Sequence, residues 1–184
     1  MKKETYEHIM KQLEKDELSN YIQGFTSIFV FVTGLTYIVG FIYLYFFSGN
    51  KIGFYVDLKD VRQINYILVP LLGFIVVTIY RKLRNAPRPY EVYEFTPLYR
   101  KFRNPAKRKK GESFPSRHVF SCFAVGYAVF SVFKPLGIAI IVMAVWLGIF
   151  RVVMGVHFPK DVIASAIIAS ILGIVGNIIL PAVL

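Results

Sequence analysis

Five apolar stretches alternate with polar connections along the chain, at about 25–47, 63–80, 117–133, 136–153 and 162–184. Each approaches the ~20 residues that an α-helix needs to cross a hydrocarbon core of about 30 Å. Within lipid a lone segment satisfies its backbone N–H and C=O groups only as a helix. The pattern therefore predicts an all-α, multi-pass transmembrane helical bundle with five spans. Little chain is left over for a separate soluble domain, so residues 1–184 read as one membrane-embedded domain.

The polar stretches between the spans differ in character. In residues 1–22 the apolar positions Tyr6, Ile9, Met10 and Leu13 recur at helical spacing among four lysines and five acids. That spacing predicts a short amphipathic helix lying on the membrane ahead of the first span. The leader lacks the short apolar core and cleavage site of a secretory signal, so the first span is expected to be retained. His8 belongs to the polar face and reads as a surface residue. The basic loop 81–117 holds twelve Lys and Arg against three Glu, which accounts for most of the net charge of +11. Anchored at both ends by spans and lacking any nucleic-acid module, it is not expected to bind nucleic acid. Its cluster Lys107-Arg108-Lys109-Lys110 suits anionic lipid head groups, and equally suits a loop kept cytoplasmic by its charge.

Composition agrees with the spans: 55% of residues are hydrophobic and the mean hydropathy is +0.53. Cys122 is the single cysteine, so an intramolecular disulfide and a cysteine-based metal site are both excluded. Neither a metal nor another cofactor is expected.

Charged and titratable residues gather where apolar segments meet polar loops. Arg81, Lys82 and Arg88 follow the second span. Ser116, Arg117 and His118 open the third. Arg151, His157 and Asp161 lie between the fourth and fifth. Ionisable groups at membrane depth are costly and mark functional sites. Pro87 and Pro89 stiffen the chain around Arg88. Pro115 suits the start of a helix, whose unpaired N–H groups favour an anion. Taken singly, each residue has a plainer role: Arg151 could snorkel to the interface, His118 could sit at a helix start and Asp161 could cap the last span.

Taken together, Arg81-x6-Arg88-Pro89, Pro115-Ser116-Arg117-His118 and Arg151-x5-His157-x3-Asp161 resemble the three-part signature of the type 2 phosphatidic acid phosphatase superfamily. The resemblance runs from residue 81 to 161. It implies a metal-independent, two-step lipid phosphatase with His157 as the nucleophile that becomes phosphorylated. Asp161 would orient its ring, and His118 would protonate the leaving alcohol and then activate water. Arg81 or Lys82, Arg88, Ser116 and Arg151 would hold the phosphate oxygens, where forked guanidinium donors match phosphate geometry. Three positions depart from the pattern. Arg81 stands where the family has Lys. Arg117 replaces a Gly, which adds a guanidinium and removes conformational freedom. Phe150 replaces a Ser ahead of Arg151.

The implied substrate is a membrane lipid carrying a phosphate monoester or diphosphate: phosphatidic acid, phosphatidylglycerol phosphate, or a polyprenyl phosphate or diphosphate such as undecaprenyl diphosphate. The implied setting is a bacterial cell membrane, in envelope-lipid or carrier-lipid recycling. The competing reading is a non-catalytic lipid-binding or scaffolding protein in which Arg117 and Phe150 mark a degenerate site. A haloperoxidase, which shares a similar pocket, does not call for a small membrane protein. On topology two criteria conflict: relatives have six spans and an extracytoplasmic site, whereas five spans put leader and motif loops together with 18 of the 22 Lys and Arg, the cytoplasmic pattern.

Overall fold

The computed structural model describes residues 2–15, 18–47, 60–98, 104, 106 and 108–179. Helix α1 spans Lys3–Lys15, α2 Leu18–Ile42, α3 Val61–Arg84, α4 Pro89–Val92, α5 Arg117–Val132, α6 Lys134–Val153 and α7 Pro159–Ile174. A wide turn at Tyr43–Phe47 prolongs α2, another at Val175–Ile179 prolongs α7, and no strand occurs among the described residues. The first span thus begins seven residues earlier than the hydropathy pattern places it. Positions 180–184 of the predicted fifth span, and Lys107 of the basic cluster, lie outside the described residues.

Among the described residues four segments are long and apolar enough to cross a membrane: Leu18–Phe47, Arg62–Val92, Lys134–Val153 and Pro159–Asn177. Their exposed side chains, among them Ile28, Phe31, Val76 and Ile163, are those of a lipid-facing surface. Helix α5 has 16 residues, or about 24 Å at 1.5 Å per residue. It is shorter than a lipid-facing span because other helices surround it. It packs against α2, α3, α6 and α7, and Val119, Phe120, Phe123, Ala124 and Ala128 are buried along it. Small residues allow these close approaches: a Cβ on Gly126 would lie 2.7 Å from the Ile141 side chain.

The ends of the helices set where the polar residues fall. At the start of α3, the Asp60 side chain accepts from the Arg62 backbone N–H at 3.0 Å. At its end, Asn85 takes the left-handed conformation with φ 42°, which stops the helix just after Arg81, Lys82 and Arg84. The cationic last turn also suits the negative end of the helix dipole. The basic loop therefore begins as helix and includes the short α4, with Arg88 at its N-cap.

Helix α1 forms as its spacing predicts, but its apolar face has a different partner from the one expected. Tyr6 and Met10 are buried against Tyr90, Phe95, Leu98, Met154 and Val156. The face covers protein loops rather than lipid, because those loops offer an aromatic surface that would otherwise be bare. His8 is exposed, as expected.

Candidate active site

The three sequence clusters converge at one end of the bundle. Arg81 from α3, Arg88 from the start of α4, Ser116 from the N-cap of α5, Arg151 from α6, His157 from the α6–α7 turn and Asp161 from α7 are all buried. The second and third clusters are joined directly, since the Ser116 N–H donates to the Asp161 carbonyl at 3.1 Å.

His157 lies on a tight turn after α6. Its own N–H and that of Val156 both donate to the Arg151 carbonyl, at 3.3 and 3.2 Å. Its ring presents Nδ1 to Asp161 Oδ2 at 3.5 Å and to Ser113 Oγ at 3.5 Å. The Asp161 oxygen is fixed in turn by the Ser113 hydroxyl at 2.5 Å and by the Phe158 N–H at 2.9 Å. With Nδ1 turned to the carboxylate, Nε2 is the nitrogen left for chemistry. Burial, reinforced by Arg88 and Arg151, pushes His157 down to about 4 against the opposing pull of Asp161. Its imidazole is neutral at physiological pH, the state in which a ring nitrogen keeps its lone pair.

The arginines serve the loops as well as the pocket. Arg88 donates to the carbonyls of Gly111 at 3.0 Å, Val156 at 3.2 Å and Glu112 at 3.5 Å. Arg81 donates to the carbonyls of Pro115 and Glu112. Both therefore tie the Gly111–Pro115 segment in place, and Arg88 also ties the His157 turn. Arg81 Nε, Ser116 Oγ and Asp161 Oδ1 are buried without a partner among the described residues. Ser116 stands at the N-cap yet makes no side-chain capping bond, so its hydroxyl is available where the first-turn N–H groups of α5 lack helical acceptors.

His118 and Arg117 border a cavity. His118 is exposed and lines a cavity of about 290 Å³ with Val30, Phe74, Arg117, Ser121 and Cys122. It lies within electrostatic reach of His157, Arg151, Arg117 and Arg81. Arg117 is half-buried, with its guanidinium carbon 5.9 Å from the centre of the Phe74 ring. Of the two candidates at the first position, Arg81 is turned inward and Lys82 is exposed. Phe150 packs edge-on against Phe25 at 5.5 Å, so it fills the contact between α6 and α2. Among the described residues no cluster of three or more His, Cys, Asp or Glu is arranged to hold a metal ion.

Sequence reasoning missed Ser113, which holds the carboxylate, and the polar role of Tyr6, whose hydroxyl reaches the His157 carbonyl at 3.2 Å. For Ser113 the only signal was a hydroxyl two residues ahead of Pro115. Tyr6 was read as one member of an apolar face, with no sign of its distant partner.

Fold and site together define a helical membrane protein with a buried histidine–carboxylate pair set among arginines. The profile of the PAP2 superfamily matches residues 62–182, and the chain belongs to that superfamily. It is 26% identical over 127 residues to the bacitracin transport permease protein BcrC of Bacillus licheniformis, covering 68% of this chain and 61% of that protein. It is 37% identical over 76 residues to the lipid A 1-phosphatase of Rhizobium etli, covering 41% of this chain and 30% of that protein. The chain thus spans less than two thirds of the length of these relatives. The fold is similar to that of the crystal structure of Aquifex aeolicus LpxE, with a TM-score of 0.61 and 23% identity over 87% of this chain and 92% of that one.

Proposed function

We propose that the protein is a metal-independent phosphatase acting on a phosphate monoester or diphosphate of a membrane lipid. One observation carries this reading: three motif arginines, Arg81, Arg88 and Arg151, are buried at the same end of the bundle as the buried His157–Asp161 pair. Buried charge persists only when compensated. Forked guanidinium donors beside a buried imidazole match the geometry of phosphate oxygens. The lipid A 1-phosphatase among its relatives supports a phosphorylated lipid as the substrate.

In this reading His157 Nε2 attacks phosphorus, and the bond from phosphorus to the lipid oxygen breaks. His118 gives that oxygen its proton. The phosphoryl group then rests on His157 while Asp161 balances the imidazolium charge. Water, losing a proton to His118, attacks the phosphohistidine, and inorganic phosphate and neutral His157 result. Arg81, Arg88, Arg151 and Ser116 stabilise charge on the phosphate oxygens, which is the largest part of catalysis in such sites. The lipid tail leaves by way of the cavity at Val30 and Phe74, between α2 and α3. Phosphatidic acid, phosphatidylglycerol phosphate, lipid A and undecaprenyl diphosphate all fit this chemistry.

The test is phosphate release from each of those four lipids by the full-length protein in detergent with EDTA, beside His157→Ala. Release that disappears in the variant is the expected result. No release from any lipid by folded protein, or equal release from the variant, overturns the proposal.

A further inference from the structure

We infer that Tyr6 on helix α1 is a positioning residue for the nucleophile, and that α1 serves as a clamp on the His157 turn. The inference rests on His157 being the nucleophile, as proposed above.

The backbone around His157 is bonded on every side. Its N–H donates to the Arg151 carbonyl, the carbonyl before it accepts from Arg88, and its own carbonyl accepts from the Tyr6 hydroxyl. The first two bonds come from the motifs themselves. The third comes from a residue 151 positions away, in a segment that lies outside the superfamily match. A buried carbonyl needs a donor, and here the leader supplies it.

The surroundings of Tyr6 are built to aim that hydroxyl. Its side chain has no exposed surface. The ring stacks on Phe95 at 5.5 Å and meets Tyr93 at 5.9 Å and Phe158 edge-on at 6.3 Å. Phe158 directly follows the nucleophile, so α1 grips the turn through packing as well as through the hydrogen bond. Gly155 is shaped for the same contact. It has φ +73°, and a Cβ there would lie 2.7 Å from Phe95 and 3.2 Å from Met10 Sδ. A side chain on Gly155 would push the clamp away. Burial and the charge of Asp161 raise the Tyr6 phenol well above its ordinary value, so it remains a donor throughout the working range.

Two substitutions separate positioning from mere packing. Tyr6→Phe keeps the ring and deletes the donor, whereas Met10→Ala loosens α1 and keeps the donor. The inference expects Tyr6→Phe to lower kcat about three- to tenfold, on the scale of one net hydrogen bond, with KM within about twofold. It expects Met10→Ala to lower the thermal midpoint and to lower kcat at 25 °C clearly less than Tyr6→Phe does. A readout independent of turnover is the titration of His157 by NMR of ¹⁵N-histidine-labelled protein, its signal assigned with His157→Ala. Tyr6→Phe should move that titration upward, toward an ordinary histidine. Wild-type kcat in Tyr6→Phe, an equal loss in Met10→Ala, or an unmoved titration overturns the inference. If the wild type turns over no lipid at all, the phosphatase reading fails and the titration alone decides the clamp.

Discussion

The two histidines of the site live in opposite surroundings. His157 is 3% exposed, held at both backbone ends, faced by Asp161 and Ser113, and roofed by α1. His118 is exposed beside a cavity, with an arginine as its chain neighbour and helices α2 and α3 flanking the opening. The first setting suits a group that must attack along one line with one ring nitrogen. The second suits a group that must meet an oxygen arriving on a bulky lipid, and must later meet water in the same place. In the proposed mechanism, fixed geometry is concentrated on the protein's own reacting atom, and room is left on the substrate's side.

The sharpest way to break this contrast is to remove each histidine in turn and vary the leaving group. His157→Ala should abolish turnover of every substrate, since nothing else supplies the attacking nitrogen. His118→Ala should slow lipid turnover by about 10²- to 10⁴-fold, the usual contribution of a general acid. With p-nitrophenyl phosphate, whose leaving oxygen needs no proton, His118→Ala should recover much of the rate of p-nitrophenol release in the first turnover, though not of the hydrolysis that follows, while His157→Ala recovers neither. Equal deficits for both variants on both substrates would show that the two histidines do not divide the work in this way.

Ser113→Ala tests whether the closed half owes its rigidity to the carboxylate's partners. Deleting the 2.5 Å bond to Asp161 Oδ2 leaves that oxygen with the Phe158 N–H and the distant imidazole. A hydrogen bond to a charged group is worth about 1.5–3 kcal/mol, so kcat should fall roughly ten- to a hundredfold with KM nearly constant. Steady-state kinetics decide it. An unchanged kcat would assign the orientation of Asp161 to the helix cap alone.

How much of this contrast was legible in the sequence follows from the range of the interactions. Hydropathy alone located five helices, and the three spaced motifs named His118, His157, Asp161 and the arginines, because those signals are local. The start of α2 at Leu18 was missed because Ser19, Asn20 and Gln23 dilute the apolar run, although Ser19 is buried and Gln23 donates to the Ser19 and Leu98 carbonyls. The choice between Arg81 and Lys82 could not be read because adjacent helical positions differ by about 100° in direction, and only packing shows which one turns inward. Ser113 and Tyr6 act through contacts 48 and 151 positions apart. No periodicity or spacing encodes contacts of that kind. The amphipathic face of α1 was visible, but the same face suits a membrane or a protein surface, and the aromatic loop beneath it settled which.

Arg117→Gly probes the open half and restores the residue typical of the family. The guanidinium lines the cavity beside His118 and lies over Phe74, so its loss should weaken the hold on the lipid phosphate. The expected result is a KM raised about three- to tenfold with kcat within about twofold, consistent with losing one charge-assisted hydrogen bond. A lower KM together with a higher kcat would mean that Arg117 obstructs the entrance.

The smallest effect concerns acid, and it is read at His157. In the unfolded chain His157 would titrate near 6.5, and in the fold it is pushed down to about 4 by burial. Between those values the unfolded state holds more protons than the native one, so stability is intact above about 6.5 and drains away as pH falls toward 4. A shift of this size corresponds to about 3 kcal/mol in total, or several degrees in the thermal midpoint of a chain this long. His157→Ala has no imidazole to keep neutral there, so the midpoint of the wild type should decline relative to the variant across that window. Parallel midpoints from pH 7 to pH 4.5 would mean that His157 accepts a proton in the folded protein as readily as in the unfolded chain. The closed half would then be wetter than its packing implies.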